Sequence, residues 1–270
     1  MARRAARPRY DLLSIAGLSL GVALVAVGHV LEDGHLGSLL QAAAAIIVFG
    51  GTLGAVLLSF PMRDVREAWG SLRFVFVDDI EPPTQLLEAV GTLAVQARKH
   101  GILSLEDHLD GVADPFLRRG LRLAVDGTNP TTLRHMLEAE NDAHAEREEA
   151  PARVYEAAGG YAPTVGILGA VLGLINVMEN LSDPSRLGAG IAVAFVATVY
   201  GVGSANLVLL PIASKLRTRA LRRARRRDLV TEGVLAIQEG QNPRLIDQKM
   251  RGLLAAEEPA PAAPKRRRAA

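Results

Sequence analysis

The sequence predicts an all-α membrane protein: four transmembrane helices, with a mainly helical cytoplasmic domain between the second and third. Three observations lead there. Four apolar stretches, Leu12–Leu31, Leu39–Phe60, Gly160–Val177 and Gly188–Ala213, contain no Asp, Glu, Lys or Arg, and each is about as long as a helix must be to cross a bilayer. Apolar residues make up 49% of the 270-residue chain but aromatic residues only 4%, which is sparse for the core of a soluble domain this size. The basic residues cluster beside particular ends of the apolar stretches, although the net charge is only +2.

The first stretch follows MARRAARPRY. A cleaved signal peptide would also begin this way, but this run is too long for a signal core and lacks a clean cleavage site. It reads as an anchor. Arg3, Arg4, Arg7 and Arg9 precede it, whereas the short loop Glu32–Ser38 has no Lys or Arg. The loop Glu179–Leu187 has only Arg186, and the fourth stretch is followed by Lys215, Arg217, Arg219, Arg222, Arg223, Arg225, Arg226 and Arg227. Basic residues accumulate on the cytoplasmic side, so both termini and the long middle segment belong there. The predicted plan is a cytoplasmic N-terminus (1–11), a transmembrane hairpin (12–60), a cytoplasmic domain (61–158), a second hairpin (159–213) and a basic tail with a disordered end (214–270). The tail's arginines suit lipid headgroups at the inner face of a membrane better than nucleic acid, and the final EEPAPAAPKRRRAA has no apolar periodicity.

Within the middle segment, Pro82-Pro83 ends what precedes it and Thr84 opens a helix to about Lys99, with Leu87, Val90, Leu93 or Ala94, and Ala97 at helical spacing. Gly101 stands where a glycine closes a helix, and Ser104 starts a further short one. Asp126-Gly127 and Asn129-Pro130 are turn signals. From Thr131 a polar, acidic helix approaches the third span, with a bend expected at Pro151. FVFVDD (74–79) is the one β-like patch.

Enzyme chemistry has little to stand on. There are no cysteines, the six histidines lack metal-ligand spacing, and no phosphate-binding glycine loop occurs. The reading is no enzyme, no metal and no cofactor. The third span instead places Gly166, Gly169 (with Ala170) and Gly173 on one stripe, and the fourth places Ala194, Thr198, Gly201 and Ala205 at spacings of four, three and four. Lipid supplies no hydrophobic drive between helices, so small residues mark close backbone approach. These two helices either pack on each other or leave a face that admits another helix. Thr198, Tyr200, Ser204 and Asn206 are the polar candidates in the fourth span, and Pro163 of the third span and Pro211 of the fourth join them.

YAPTVGILGAVLGLINVMENLSDPSRLGAGIAVAFVATVYGVGSANLVLLPIASKL (161–216) resembles the last two spans of the MotA/PomA stator subunits of the bacterial flagellar motor, through Pro163, Asp183-Pro184, Gly188, Thr198, Tyr200-Gly201, Asn206 and Pro211-Ile-Ala-Ser-Lys. The last two spans also resemble the wider TolQ/ExbB group, whose members have three spans; the extra N-terminal hairpin favours MotA. The resemblance implies an inner-membrane subunit, pentameric around two copies of a single-span MotB- or PomB-type partner, that conducts H+ or Na+ and drives the rotor protein FliG. The alternative is an energising subunit of the TolQ/ExbB type that drives a non-flagellar process. By the same resemblance, Thr198, Ala170, Pro163 and Pro211 belong to the ion pathway. Gly166, Gly169, Gly173 and Gly201 receive the partner helix, and Arg98, Lys99 and Glu106 contact the rotor. Ala170 stands where sodium-driven members carry threonine, which favours protons. Glu156 and Tyr161 would face the pore exit. A proton path needs a titratable group within the bilayer, and because these spans have no carboxylate, the ion-binding acid must come from another chain.

Overall fold

The computed structural model describes residues 9–78, 83–182 and 184–257. Arg3, Arg4, Arg7, Pro82, Asp183 and the end from residue 258 enter the sequence reading above but lie outside the described residues.

In chain order, β1 (Arg9–Tyr10) leads into α1 (Leu12–Leu31). Asp11 caps α1 by accepting from the Ser14 amide at 3.1 Å, satisfying one of the N–H groups that a helix start leaves open. α2 (Ala42–Ser59) contains a π-helical turn at Ile46–Gly50. α3 (Met62–Ser71), α4 (Arg73–Phe76) and β2 (Val77–Asp78) follow. Of the β-like patch 74–79, Asp79 lies outside the described residues, and the strand in the rest is two residues long because Arg73–Phe76 first closes a helical turn; β2 then pairs antiparallel with β1, Tyr10 opposite Val77. α5 (Pro83–His100) ends at Gly101, whose φ of +83° is the left-handed conformation that suits glycine. A 3-10 segment (Ile102–Gly111) precedes α6 (Pro115–Val125) and α7 (Pro130–Glu179). α8 (Pro184–Ser204) passes through a π-helical turn (Ala205–Leu209) into α9 (Leu210–Gln238), and α10 (Pro243–Glu257) follows.

Among the described residues, four helices are long and apolar enough to cross a membrane: Leu12–Leu31, Ala42–Ser59, and stretches within Pro130–Glu179 and Leu187–Gln238. Two of them extend far beyond their apolar stretch, because nothing in the sequence stops the helix at the bilayer edge. Pro151 and Pro163 both lie inside α7, so neither ends it. α1 buries no residue against the rest of the chain, and Leu13 is 85% exposed. An apolar helix that leaves most of its side chains exposed is suited to lipid.

The chain divides into two compact units, Met1–Asp79 with Glu146–Ala220 and Ile80–Ala145 with Leu221–Ala270. The second unit has the larger apolar core. Leu86, Leu87 and Val90 of α5, Leu105 and Leu109, Leu117 and Leu121 of α6, and Leu133 and Leu137 of α7 are buried there. They pack with Val230, Val234 and Ile237 of α9 and with Ile246 and Met250 of α10. The segment read as a basic tail therefore supplies a full side of this core. Asn141, 4% exposed, joins α7 to α9: its Nδ2 donates to Ala224 O (3.1 Å) and Asp228 Oδ1 (2.6 Å), and its Oδ1 accepts from Arg227 Nε (2.7 Å).

Glu232 accepts from Arg134 (2.6 Å) and Lys249 (2.6 Å). Burial alone would raise its carboxyl, but those two hydrogen bonds outweigh burial and hold it below the ordinary glutamate value of 4.5. An acid held low in the folded state stabilises the fold above its unfolded pKa, and that contribution is lost as pH falls through the folded value. E232Q should therefore flatten the loss of stability on acidification below about pH 4.5. Asp228 acts in the opposite sense, raised chiefly by burial, and the variant leaves it in place. Thermal unfolding of the full chain in detergent across this range checks the prediction; parallel curves for both proteins would contradict it.

Candidate functional site

The glycines of α7 and α8 form a seam within the chain. A Cβ built on Gly201 would lie 2.5 Å from Ala162 O, 3.0 Å from Gly166 Cα and 3.2 Å from Pro163 Cα. At Gly166 it would lie 2.9 Å from Ala197 O and 3.1 Å from Gly201 Cα, and at Gly173 2.8 Å from Ala194 N. At Gly169 it would meet Ala197 Cβ at 2.8 Å and Ile47 Cγ2 of α2 at 3.3 Å. Backbone packs on backbone here, which only glycine allows.

This corrects the assignment of Gly166, Gly169, Gly173 and Gly201 to a partner helix. All four are buried in the contact of α7 with α8, and Gly169 also touches α2. The spacing pattern was right about close approach, but a periodic stripe of small residues does not say which helix it meets. The surfaces left open lie around the seam. Ile167, Leu168, Val171 and Leu172 on α7 and Phe195, Val199 and Val202 on α8 are all exposed.

Tyr200 fixes the loop before α2 to α8. Its hydroxyl donates to Leu39 O and accepts from the Gln41 amide (3.3 Å), and its ring stacks on Phe49 with centroids 5.6 Å apart. Ala44, Val48, Val196 and Ala197 are buried alongside. Thr198 is half-buried, and its hydroxyl donates to Ala194 O at 3.3 Å, leaving oxygen lone pairs free to accept. Ala170 is half-buried on the facing helix. Neither Pro163 nor Pro211 is a simple helix boundary. Pro163 lies inside α7, and Pro211 is the second residue of α9, immediately after a π-helical turn. Each removes an N–H from a continuing helix, and a π turn is a common place for such an interruption to be absorbed. Beside Pro211 a cavity of about 300 Å³ opens between Gly17 and Leu18 of α1, Phe76, Asn206, Leu207 and Lys215.

Below the seam, charged groups pair within the first unit. Arg217 bridges Glu149 (3.1 Å) and Glu156 (2.5 Å), and Tyr161 shares a hydrogen bond with Ser59 at 2.9 Å. Lys215 pairs with Asp11, holding that carboxyl below its ordinary value with help from the Ser14 amide. Arg219 is 7% exposed and donates to Phe74 O and Val77 O, both at 2.6 Å. Arg226 pairs with Asp114 at 3.0 Å in the second unit. Several arginines of the basic run thus hold the fold together, where the sequence suggested headgroup contacts. The missed signal was the apolar spacing of Leu229, Val230, Val234 and Ile237 just after them.

Arg98 and Lys99 close α5 and Glu106 lies in the 3-10 segment beyond Gly101. All three are exposed. None forms an ion pair among the described residues, so their charge is open to another molecule.

Residues 108–229 match the MotA/TolQ/ExbB proton channel family, and residues 15–101 match the motility protein A N-terminal family. The chain is 36% identical to uncharacterized protein YtxD of Bacillus subtilis, with 90% of each chain covered. It is 34% identical to motility protein A of the same organism, with 89% of each covered. Among solved structures it resembles that of C. jejuni MotAB, with a TM-score of 0.85 and 28% identity over 92% of this chain and 98% of that one. Similarity of this extent, covering both hairpins and the domain between them, makes the chain a member of the motility protein A branch of the MotA/TolQ/ExbB proton channel family.

Proposed function

We propose that this flagellar stator subunit, assembled as a ring around a single-span MotB-type partner in the inner membrane, passes protons along the open faces of α7 and α8 and turns the flow into torque on the rotor. The observation that carries the reading is the absence of Asp, Glu, Lys and Arg from all four spans. A conducting unit built from this chain must take its titratable carboxylate from another one. With the glycines committed to the seam, the partner helix meets Ile167, Val171, Phe195 and Val199, with Thr198 and Ala170 at the margin of that surface. Thr198 offers a hydroxyl oxygen, whereas Ala170 offers none. This donor-poor setting favours a proton relay over a desolvated sodium ion, which needs several oxygen ligands. The arginine distribution supports a cytoplasmic place for both termini and the second unit. There Arg98, Lys99 and Glu106 meet charges on FliG. The four-span plan with an N-terminal motility-protein match favours this reading over a TolQ/ExbB-type role.

Swimming cells test it. T198V removes one hydrogen-bonding group from a desolvated path and should lower swimming speed at least about tenfold, in proportion to the cost of an unmade buried hydrogen bond. R98E should reduce torque while membrane insertion stays normal. Full speed for both variants, or speed that follows external sodium, would contradict the proposal.

A further inference from the structure

α3 begins three residues after α2 ends, and its two faces differ. One face holds Val65 and Ala68 against Val56 of α2, Ala158 and Tyr161 of α7 and Leu209. These are the residues where three membrane helices leave their apolar stretches. Tyr155 fixes the contact by donating to Ala68 O at 3.0 Å, and Ser71 donates to the same carbonyl at 2.7 Å. α3 is thereby set at the depth of the bilayer boundary.

The other face carries Met62, Arg66 and Trp69, continued by Arg73, at spacings of four, three and four. Met62 is 53% and Trp69 78% exposed, and Trp69 is the sole tryptophan of the chain. Arg66 and Arg73 are exposed and have no carboxylate partner among the described residues. By contrast, Arg63, on the flank, pairs with Glu67 at 2.9 Å. Arg73 lies over the Phe74 ring at 4.6 Å, a contact that leaves its N–H groups open to an anion. A large apolar ring with a polar N–H, flanked by guanidinium groups that no carboxylate neutralises, matches the chemistry of the membrane interface: the indole enters the acyl boundary and the cations meet phosphate.

We infer that α3 is an interfacial anchor whose Arg66 and Arg73 bind anionic phospholipid headgroups of the cytoplasmic leaflet, with Trp69 inserted between the lipids. Charge complementarity selects this occupant. A facing protein surface would have to supply carboxylates at the bilayer edge, whereas anionic lipid presents phosphates there continuously, each nearby Lys or Arg adding to the attraction. The inference is separate from ion conduction and would stand if the chain drove another process.

Trp69 provides the readout. The full-length chain is reconstituted in vesicles of phosphatidylcholine alone or mixed with phosphatidylglycerol, using brominated forms of each lipid in turn. The expected result is blue-shifted Trp69 emission that brominated phosphatidylglycerol quenches more strongly than brominated phosphatidylcholine. R66Q and R73Q should each lower that preference roughly fivefold. Emission as red and as acrylamide-sensitive as free tryptophan would overturn the inference. So would protection from acrylamide without quenching by either brominated lipid, which would place a second protein surface over Trp69. Equal quenching by both lipids, unaffected by R66Q and R73Q, would overturn the headgroup assignment.

Discussion

Gly201→Ala should disable the protein, whereas Gly203→Ala, two residues away in the same helix, should leave it intact. On propensity alone both changes favour a helix by up to about 1 kcal/mol. Their surroundings are opposite. A Cβ at Gly203 meets nothing within 4 Å, while at Gly201 it meets a carbonyl oxygen at 2.5 Å and two Cα atoms at 3.0 and 3.2 Å. A flexible side chain could move aside; backbone cannot, so α7 and α8 must separate. Overpacking of this kind costs about 1–3 kcal/mol, and separation also loosens the contacts that hold Tyr200 and Ile47. Thermal stability in detergent and swimming speed should both drop for G201A and hold for G203A. Equal behaviour of the two variants would remove the seam as the organising contact.

Val234→Asp should be comparably severe in the second unit. Val234 is fully buried, and a Cβ on Gly120 of α6 would lie 3.1 Å from one of its methyl groups. A carboxylate there would sit in the apolar cluster of Val90, Leu117, Leu121 and Leu137, and an unpaired buried charge costs several kcal/mol or forces the site open. Leu221→Asp is the control, since Leu221 also lies on α9 but is 49% exposed. The expected outcome for V234D is a membrane-inserted protein whose second unit is cut rapidly by protease and which supports no motility. Resistance equal to that of L221D would show that α9 is not part of that core.

Both predictions involve residues whose importance the sequence only half disclosed. The four spans were legible because charge-free runs of this length have few other uses. The turn at Gly101 was legible because its place after a periodic helix asks for a left-handed residue, and its φ is +83°. Gly166, Gly169 and Gly173 announced close approach but not the identity of the neighbour, since periodicity is a property of one helix and contact a property of two. Proline ends helices in water, so the sequence alone did not show that α7 runs on through Pro163 or that a helix continues past Pro211; within apolar surroundings adjacent turns absorb the lost hydrogen bond. The α9 segment was misread for a different reason. Its arginines dominate composition, and the apolar positions that enter the core start only after them. Arg219 shows the consequence: a residue that looked like a headgroup anchor is buried, with two backbone carbonyls as its acceptors.

The central claim is that this chain builds the conduit while another chain brings the acid. Proton entry into cells loaded with a pH-sensitive dye tests it most directly, comparing three cases: the chain alone, the chain with its single-span partner, and the chain with a partner whose transmembrane carboxylate is replaced by an amide. The account predicts acidification only in the second case, reduced further by T198V. Equal acidification by the chain alone would contradict it, because conduction would then need no carboxylate beyond what these four charge-free spans provide.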